Sequence, residues 1–332
     1  MFIVENYSLA ILLCVITMLC WGSWANTTKL TTNTWRFELL YWDYGFGILL
    51  TTLLLAFTLG SNGQQGRSFM TDIQQADTGN FLTAFTGGVV FNLANILLVA
   101  AIGIAGMSVA FPVGIGIALV LGVILNFISN PQGNPVLIFG GVVLIAVAII
   151  LNAKAYKKLN AQAASKVSQK GLVLSVVSGC LMGLFYKYVA GSMVTNFNIP
   201  EAGKLTPYTA LVFFGIGIVV SSFLFNTLQM KRPFAGAPIP FTDYFKGKLK
   251  DHLVGILGGV IWSIGMSLNI IASGKAGPAV SYGLGQGATV VAAIWGIYVW
   301  KEFDKAPTGT KPLLHVMLLL YIIGLGMIIV SK

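Results

Sequence analysis

The segments GIAGMSVAFPVGIG (103–116) and GKAGPAVSYGLGQG (274–287) carry glycines at matching positions. An offset of 171 residues superimposes six glycines without a gap: Gly87, Gly88, Gly103, Gly106, Gly114 and Gly116 on Gly258, Gly259, Gly274, Gly277, Gly285 and Gly287. A weaker match at an offset of 161 pairs Val15, Gly22 and Trp24 with Val176, Gly183 and Phe185. One glycine in an apolar helix is typical of close packing, but six in one register indicate an internal duplication.

The chain around these segments is largely apolar. Of its 332 residues, 56% are hydrophobic and 9% are charged, and the mean hydropathy is +0.83. Because about a quarter of the residues of a soluble domain are charged, this composition indicates an integral membrane protein. The apolar runs are continuous and do not alternate, which favours helices over a barrel. With about 20 residues per span, the sequence predicts an all-α polytopic membrane protein with ten transmembrane helices, centred near Thr17, Leu50, Asn92, Leu119, Val143, Cys180, Ile216, Gly265, Trp295 and Ile322.

The offset pairs the third predicted span with the eighth, and the fourth with the ninth. Because the paired spans are five apart, they cross the bilayer in opposite directions. This predicts a 5+5 inverted repeat, which is typical of transporters that work by alternating access. We expect a first five-helix repeat over residues 1–153, a basic cytoplasmic linker over 154–170 and a second five-helix repeat over 171–332.

Basic residues are concentrated in alternate loops. Four lie at the termini and in the loops on their side: Arg67, Lys204, Lys275 and Lys332. Fifteen lie on the other side: Lys29, Arg36, Lys154, Lys157, Lys158, Lys166, Lys170, Lys231, Arg232, Lys246, Lys248, Lys250, Lys301, Lys305 and Lys311. Since basic loops are retained in the cytoplasm, we expect a multi-pass protein of the inner cell membrane with both termini outside the cytoplasm. The net charge of +10 then reflects topology and attraction to anionic lipid, and no nucleic-acid partner is expected.

Other chemistries lack their sequence signatures. Lys275 is followed by Ala276, so no phosphate-binding G-x-x-x-x-G-K-[ST] is present and ATP hydrolysis is not expected. His252 and His315 flank spans on the basic side, where we expect solvated interface histidines rather than metal ligands or catalytic groups. The three cysteines lie inside spans without metal spacing. We therefore expect no catalytic residues, no cofactor and no metal.

Two acidic residues of the second span, Asp43 and Glu38, are candidates for proton coupling. A carboxylate deep in a span costs roughly 2.5–3.5 kcal/mol, so such a residue is a functional candidate by default. Asp43 could take up a proton facing one compartment and release it facing the other. The alternative for Asp43 is that it is ionised and paired with another residue, or lies close enough to the interface to contact water. The alternative for Glu38 is a salt bridge with Arg36.

The candidate substrate-binding residues are polar or aromatic and come from five spans: Trp21, Trp24, Asn92, Asn95, Tyr186, Lys187, Trp262, Asn269, Tyr282 and Gln286. Amide side chains offer donors and acceptors to a neutral cargo, and aromatic faces stack on a planar heterocycle or a sugar. The alternative is structural: amides join helices in lipid, tryptophans mark the membrane interface, and Lys187 extends to the surface.

Three stretches resemble the ureide permeases and their bacterial relatives: YWDYGFGILLTTLLLAFTLG (41–60), FLTAFTGGVVFNLANILLVAAIGIAGMSVAFPVGIGIALVLGVILNF (81–127) and GQGATVVAAIWGIYVWKEF (285–303). The shared features are Asp-Tyr, Gly-Gly, Asn-Leu-x-Asn, and Trp-Gly followed by Lys-Glu. The ten-helix repeat resembles the drug/metabolite transporter superfamily, and AGPAVSYGLGQG is also similar to bacterial glucose, ribose and rhamnose uptake proteins. The plant permeases carry a long central loop with a nucleotide-binding-like motif, which the short 154–170 segment lacks.

The resemblance implies a secondary transporter rather than an enzyme. We expect proton-coupled uptake of a small neutral nitrogenous solute, such as a ureide or nucleobase, by alternating access. Sugar uptake and export of a metabolite or drug are the alternatives within this class, whereas a pore or receptor would need no coupling acid. The expected partners are a small-molecule substrate, protons as coupling ion and membrane lipid, with the chain acting as a monomer or a homodimer.

Overall fold

The computed structural model describes residues 1–32, 34–105, 107–159, 168–234, 236–301, 303–304 and 306–332. Within these ranges the chain is helical, with one isolated bridge between Met193 and Leu205. The helices are α1 (Tyr7–Ser23), α2 (Phe37–Phe57), α3 (Phe69–Gln75), α4 (Thr78–Ala105), α5 (Met107–Ser129), α6 (Pro135–Leu159), α7 (Gln169–Ser192), α8 (Pro207–Lys231), α9 (Leu249–Ala276), α10 (Pro278–Gly285), α11 (Ala288–Ile294) and α12 (Thr310–Ile329). Short 3-10 helices cover Trp24–Leu30 and Phe241–Lys246, and a π-helical turn covers Trp295–Val299.

Ten helical segments in the described part of the chain are long and apolar enough to cross a membrane. The first span joins α1 to the 3-10 turn that follows it, and the ninth joins α10, α11 and the π turn. Helix α3 is too short to span. These segments confirm the prediction of an all-α polytopic membrane protein with ten spans.

The connecting segments separate onto two faces of the bundle. On the terminal face, which carries both chain ends, the amino group of Met1 donates to the Gln65 carbonyl at 2.7 Å. On the basic face, which carries the described parts of the loops before α2, α9 and α12, Arg36 donates to the Ala237 carbonyl at 2.6 Å. Consecutive spans therefore run in alternate directions, and both termini lie opposite the basic loops.

Two close crossings connect the amino-terminal and carboxy-terminal halves. Helix α2 meets α9 at Gly47 and Gly259, and α4 meets α8 at Gly88 and Gly217. A Cβ at any of these four positions would overlap a backbone carbonyl of the facing helix. Glycine is needed at these sites because it lets two helix backbones approach.

A further sequence match underlies these crossings. Helix α2 contains GFGILLTT (45–52) and α8 contains GIGIVVSS (215–222). Both segments read G-x-G-I, then two apolar residues, then two hydroxyl residues. Helix α7 packs on α4 and α5, as α1 packs on α9, α10 and α11. This pairing is compatible with a 5+5 inverted repeat, which stays a prediction together with its boundaries. Residues up to Leu159 continue α6 and Gln169 begins α7, while 160–167 of the predicted linker lie outside the described residues.

Candidate substrate cavity

A cavity of about 400 Å³ lies between the basic-face halves of the spans. Its volume is in the range typical of small-molecule sites. The aromatic side chains that line it are Trp21, Trp24, Phe37, Phe91, Tyr156, Phe185, Trp262, Trp295 and Trp300. The polar side chains that line it are Asn26, Thr28, Lys29, Asn95, Asn152, Gln286 and Thr289. Both halves of the chain therefore contribute to its wall.

Trp262 of α9 is the centre of the aromatic wall. Its ring stacks on Trp21 with centroids 5.8 Å apart and planes at 12°, and it lies 4.4 Å from Phe91. The Trp21 indole Nε1 also donates to the Trp262 carbonyl at 3.2 Å. Trp24 packs on Tyr44 at 4.7 Å. The three predicted tryptophans are thus held rigidly around one space, where their faces can stack on a planar cargo.

Two of the predicted amides reach the cavity with uncommitted groups. Asn95 donates from Nδ2 to the Tyr41 hydroxyl at 3.2 Å, which leaves its Oδ1 without a partner among the described residues. The Gln286 side chain makes no hydrogen bond within the described chain. Gln286 lies where α10 gives way to α11, between Gly285 and Gly287. A broken helix at membrane depth is tolerated where it lines a cavity.

Asn92 has the alternative, structural role. It accepts a hydrogen bond from the Tyr41 hydroxyl at 2.9 Å and donates to Ser221 Oγ at 2.7 Å. Its amide therefore joins α4 to α2 and α8 rather than facing the cavity. Asn92 and Asn95 are three residues apart, and the tertiary packing gives them different surroundings.

Tyr186, Asn269 and Tyr282 form a layer on the terminal-face side of the cavity. The Tyr186 hydroxyl donates to Asn269 Oδ1 at 2.8 Å. The Tyr282 hydroxyl lies 3.1 Å from the carbonyl oxygens of Ala118 and Met182. All three side chains are buried. This layer ties α7, α9, α10 and α5 together and closes the cavity toward the terminal face.

Lys187 does not reach the cavity. It follows Tyr186 on α7, but its side chain is exposed at the outside of the bundle, next to the exposed Tyr188. Successive residues of a helix point about 100° apart, so the neighbour of a buried tyrosine faces outward. This position fits the alternative in which a long aliphatic stem carries the charge to the surface.

Asp43 lies outside the cavity wall in a buried cluster near the basic face. It is 2% exposed, it accepts from the Tyr244 hydroxyl at 2.6 Å, and its Oδ2 lies 3.0 Å from His252 Nδ1. Burial, reinforced by the Asp43 carboxylate, raises the pKa of Tyr244, so this phenol stays protonated and donates at neutral pH.

The expectation that His252 is an isolated, solvated histidine is wrong. Its side chain is 21% exposed and pairs with Asp43, which is 209 residues away in the chain. Gly255 makes this approach possible, because a Cβ there would lie 2.6 Å from Asp43 Cβ. His252 and Gly255 are three residues apart and therefore share one helix face. This spacing was the sequence feature that could have indicated a close neighbour for His252. His315, in contrast, is exposed as expected.

Glu38 forms the interfacial salt bridge that was its alternative interpretation. Arg36 Nη2 lies 2.6 Å from Glu38 Oε1, and Arg36 Nε donates to Oε2 at 3.3 Å. The backbone carbonyl of Glu38 also accepts from Asn226 Nδ2 at 2.8 Å. Glu38 is therefore paired at the membrane edge and lies apart from the cavity lining.

Asn152 of α6 lines the cavity, although its sequence context did not mark it as a site residue. Two buried aspartates that join the halves were likewise not predicted. Asp72 accepts from Thr206 on the terminal face, and Asp251 accepts from Thr32 on the basic face. Each aspartate lies close to a loop in the sequence, where charged residues are common, so nothing local distinguished them.

Comparison with known proteins identifies the family. The ureide permease family model matches residues 40–170 and 156–331. Ureide permease 1 of Arabidopsis thaliana is 25% identical over 100% of this chain and 99% of its own length, and the glucose uptake protein GlcU of Bacillus subtilis is 27% identical over 67% and 69%. A solved crystal structure shares the fold, with a TM-score of 0.62 over 97% of this chain and 96% of the other at 13% identity. The chain therefore belongs to the ureide permease family and is a multi-pass membrane transporter with a small-molecule substrate.

Proposed function

We propose that this transporter takes up a small neutral nitrogenous solute, such as a ureide or nucleobase, by proton-coupled alternating access. The observation that carries the proposal is the composition of the cavity wall. Tryptophans surround it, Asn95 presents a free amide oxygen and Gln286 a free amide group, and the described lining residues include no carboxylate. Such a wall suits a planar, uncharged compound with both donors and acceptors. The names of the plant relatives point to the same substrate class.

Alternating access is supported by the shape of the cavity. It extends toward the basic face, and the Tyr186, Asn269 and Tyr282 layer closes it toward the terminal face. We assign the basic face to the cytoplasm and both termini to the outside, in the inner cell membrane. The repeats over 1–153 and 171–332 would then move against each other around the cavity.

Proton coupling is assigned to Asp43. Its carboxylate is buried and its partner His252 is partly exposed, so the pair offers a route for a proton between the basic face and the bundle. A nearby positive charge and hydrogen bonds both stabilise the ionised form of a carboxylate. If the surroundings change and these contacts are lost, the carboxylate takes up a proton more readily. Glu38, already paired with Arg36, is the weaker candidate of the two.

The test is uptake of radiolabelled uracil and allantoin by proteoliposomes, compared with ribose and glucose, with and without an imposed pH gradient. The proposal expects accumulation of a nitrogenous compound only when the gradient is present. Preferential sugar uptake would establish the second candidate, a sugar carrier, which the GlcU relative favours. Equal flux of all four compounds without a gradient would indicate a channel-like leak and contradict coupling.

A further inference from the structure

Asn152 of α6 carries an unsatisfied polar group at the cavity. The residue is 8% exposed, it lines the cavity, and its Oδ1 is buried without a hydrogen-bond partner. Its Nδ2 also has no partner within the described chain, but this atom is not sealed off as Oδ1 is. A carbonyl oxygen withdrawn from water without a partner costs free energy, so its retention in the packed bundle calls for a partner outside the chain.

The other buried asparagines of the described chain all have partners. In α5, Asn126 Nδ2 donates to the Gly122 carbonyl at 2.7 Å. In α8, Asn226 Nδ2 donates to the Glu38 carbonyl at 2.8 Å. Asn92, Asn95 and Asn269 are bonded as described above. Asn152 thus lacks the hydrogen bonds by which the other asparagines hold helices together, and it lines the cavity.

We propose that Asn152 is a specificity-determining residue that pairs with an N–H and C=O edge of the cargo. A carboxamide presents a donor beside an acceptor in one plane. A cyclic ureide or imide offers the same two groups in complementary order, so two hydrogen bonds can form together. Two adjacent sugar hydroxyls can also contact both groups, but they rotate freely and are not fixed in one plane, so the amide edge favours the ureide or imide. This inference rests on the proposed function and names the substrate feature that the cavity recognises.

The test combines a substitution with a change to the ligand. Binding of uracil and of 1,3-dimethyluracil, whose ring N–H groups are blocked, is measured by isothermal titration calorimetry on the purified full-length protein in detergent. Methylation should weaken binding to the unmodified protein by about tenfold, as expected when a hydrogen bond is lost in a dry site. In Asn152→Leu the methylation effect should fall well below tenfold, to what the other cavity amides, Asn95 and Gln286, contribute. The control is Asn126→Leu, a buried asparagine outside the cavity, which should keep the full methylation effect.

The outcomes separate this inference from the proposed function. If uracil binds and Asn152→Leu retains the tenfold methylation effect, the role of Asn152 is overturned while the proposed function stands. If ribose or glucose binds while uracil and allantoin do not, the proposed function fails and the role of Asn152 fails with it. Asn152→Ala, which removes the whole amide with a smaller change in shape, should also reduce the methylation effect, and it serves if Asn152→Leu does not yield a monodisperse protein.

Discussion

At the residue scale, the proposed coupling depends on Asp43. Tyr244 and His252 come from a loop and a helix more than 200 residues further along the chain, and together they bury and hydrogen-bond its carboxylate. A carboxylate kept in a membrane bundle with such partners is a functional candidate rather than a packing element. Glu38 shows the contrast, because it lies five residues earlier and is already neutralised by Arg36.

Asp43→Asn should abolish gradient-driven accumulation, because an amide cannot take up and release the coupling proton. Accumulation is expected to fall to the level measured without a gradient, whereas exchange of labelled for unlabelled cargo should continue. Both quantities are measured in the same proteoliposomes. A variant that still concentrates cargo in response to a pH gradient would disprove the assignment.

Glu38→Gln is the matched control for that variant. Its partner Arg36 is 34% exposed and also donates to the Ala237 carbonyl, so the guanidinium keeps a partner when Glu38 loses its charge. We expect gradient-driven accumulation close to that of the unmodified protein, assayed at equal reconstituted amounts. Loss of accumulation in Glu38→Gln would move the coupling role to Glu38.

At the scale of elements, four glycines let α2 contact α9 and α4 contact α8. Gly88→Ala should weaken the second crossing, since its Cβ would overlap the Phe214 carbonyl and the helices would have to separate. Overpacking of this kind costs about 1–3 kcal/mol. We expect a lower melting temperature in detergent and a lower yield of monodisperse protein by size-exclusion chromatography.

Gly116→Ala provides the comparison within a neighbouring span. Apart from its own stretch of helix, no atom of the described residues lies within 4 Å of a Cβ at Gly116, so alanine should fit without displacing a helix. The melting temperature should stay the same or rise slightly, because alanine has the higher helix propensity. If both variants melt at the same temperature, the crossing at Gly88 does not limit stability.

Two similar clamps join the halves, one at each face. On the terminal face, Asp72 accepts from the Thr206 backbone N–H at 2.7 Å and from its hydroxyl at 3.0 Å, just before α8. On the basic face, Asp251 accepts from the Thr32 backbone N–H at 2.8 Å and from its hydroxyl at 3.1 Å, shortly before α2. Both faces are therefore held by the same interaction between an aspartate and the threonine that precedes a long helix.

Arg67→Gln should loosen the terminal face. Arg67 Nε lies 2.7 Å from the buried Asp72 carboxylate, and the arginine also donates to the Lys204 carbonyl at 2.7 Å. Removing one partner of a buried ion pair costs about 3–5 kcal/mol. Spin labels are placed at the exposed positions Asn62 and Asn198, and the distances between them are measured by pulsed electron paramagnetic resonance. We expect the distribution to broaden and its mean distance to increase.

The control for Arg67→Gln is Lys246→Gln. The ion pair of Lys246 with Asp243 is exposed, at 72% and 34% for the two side chains, and such pairs contribute about 0–1 kcal/mol. The label distances on the terminal face should not change in this variant. Unchanged distances in Arg67→Gln as well would show that the arginine does not hold the face closed.

At the scale of the whole molecule, the two faces predict a labelling pattern. In a background without cysteines, Asn198→Cys on the terminal face should react with a membrane-impermeant maleimide in intact cells. Lys250→Cys on the basic face should react only after permeabilisation, because basic loops are retained in the cytoplasm. Both positions are exposed, so accessibility within the protein does not limit the reaction. The opposite pattern would invert the proposed orientation.

Much of the fold was predictable because lipid imposes a simple requirement on the backbone. Every spanning segment must satisfy its own hydrogen bonds and present apolar side chains, so ten long apolar helices follow from composition and length. The basic residues likewise predicted which loops share a face. The aromatic cavity residues Trp21, Trp24 and Trp262 were found because large polarisable side chains inside spans stand out.

The orientation of each polar side chain was decided by the tertiary structure. Helices in a membrane are apolar on every side, since lipid and the protein interior are both apolar, so hydropathy does not show which face a residue occupies. Asn92 therefore joins helices while Asn95 and Asn152 reach the cavity, and His252 meets Asp43 across 209 residues. The amino-acid sequence alone determined that the chain spans the membrane ten times with its basic loops on one face. Which side chains line the cavity depended on how these ten helices pack.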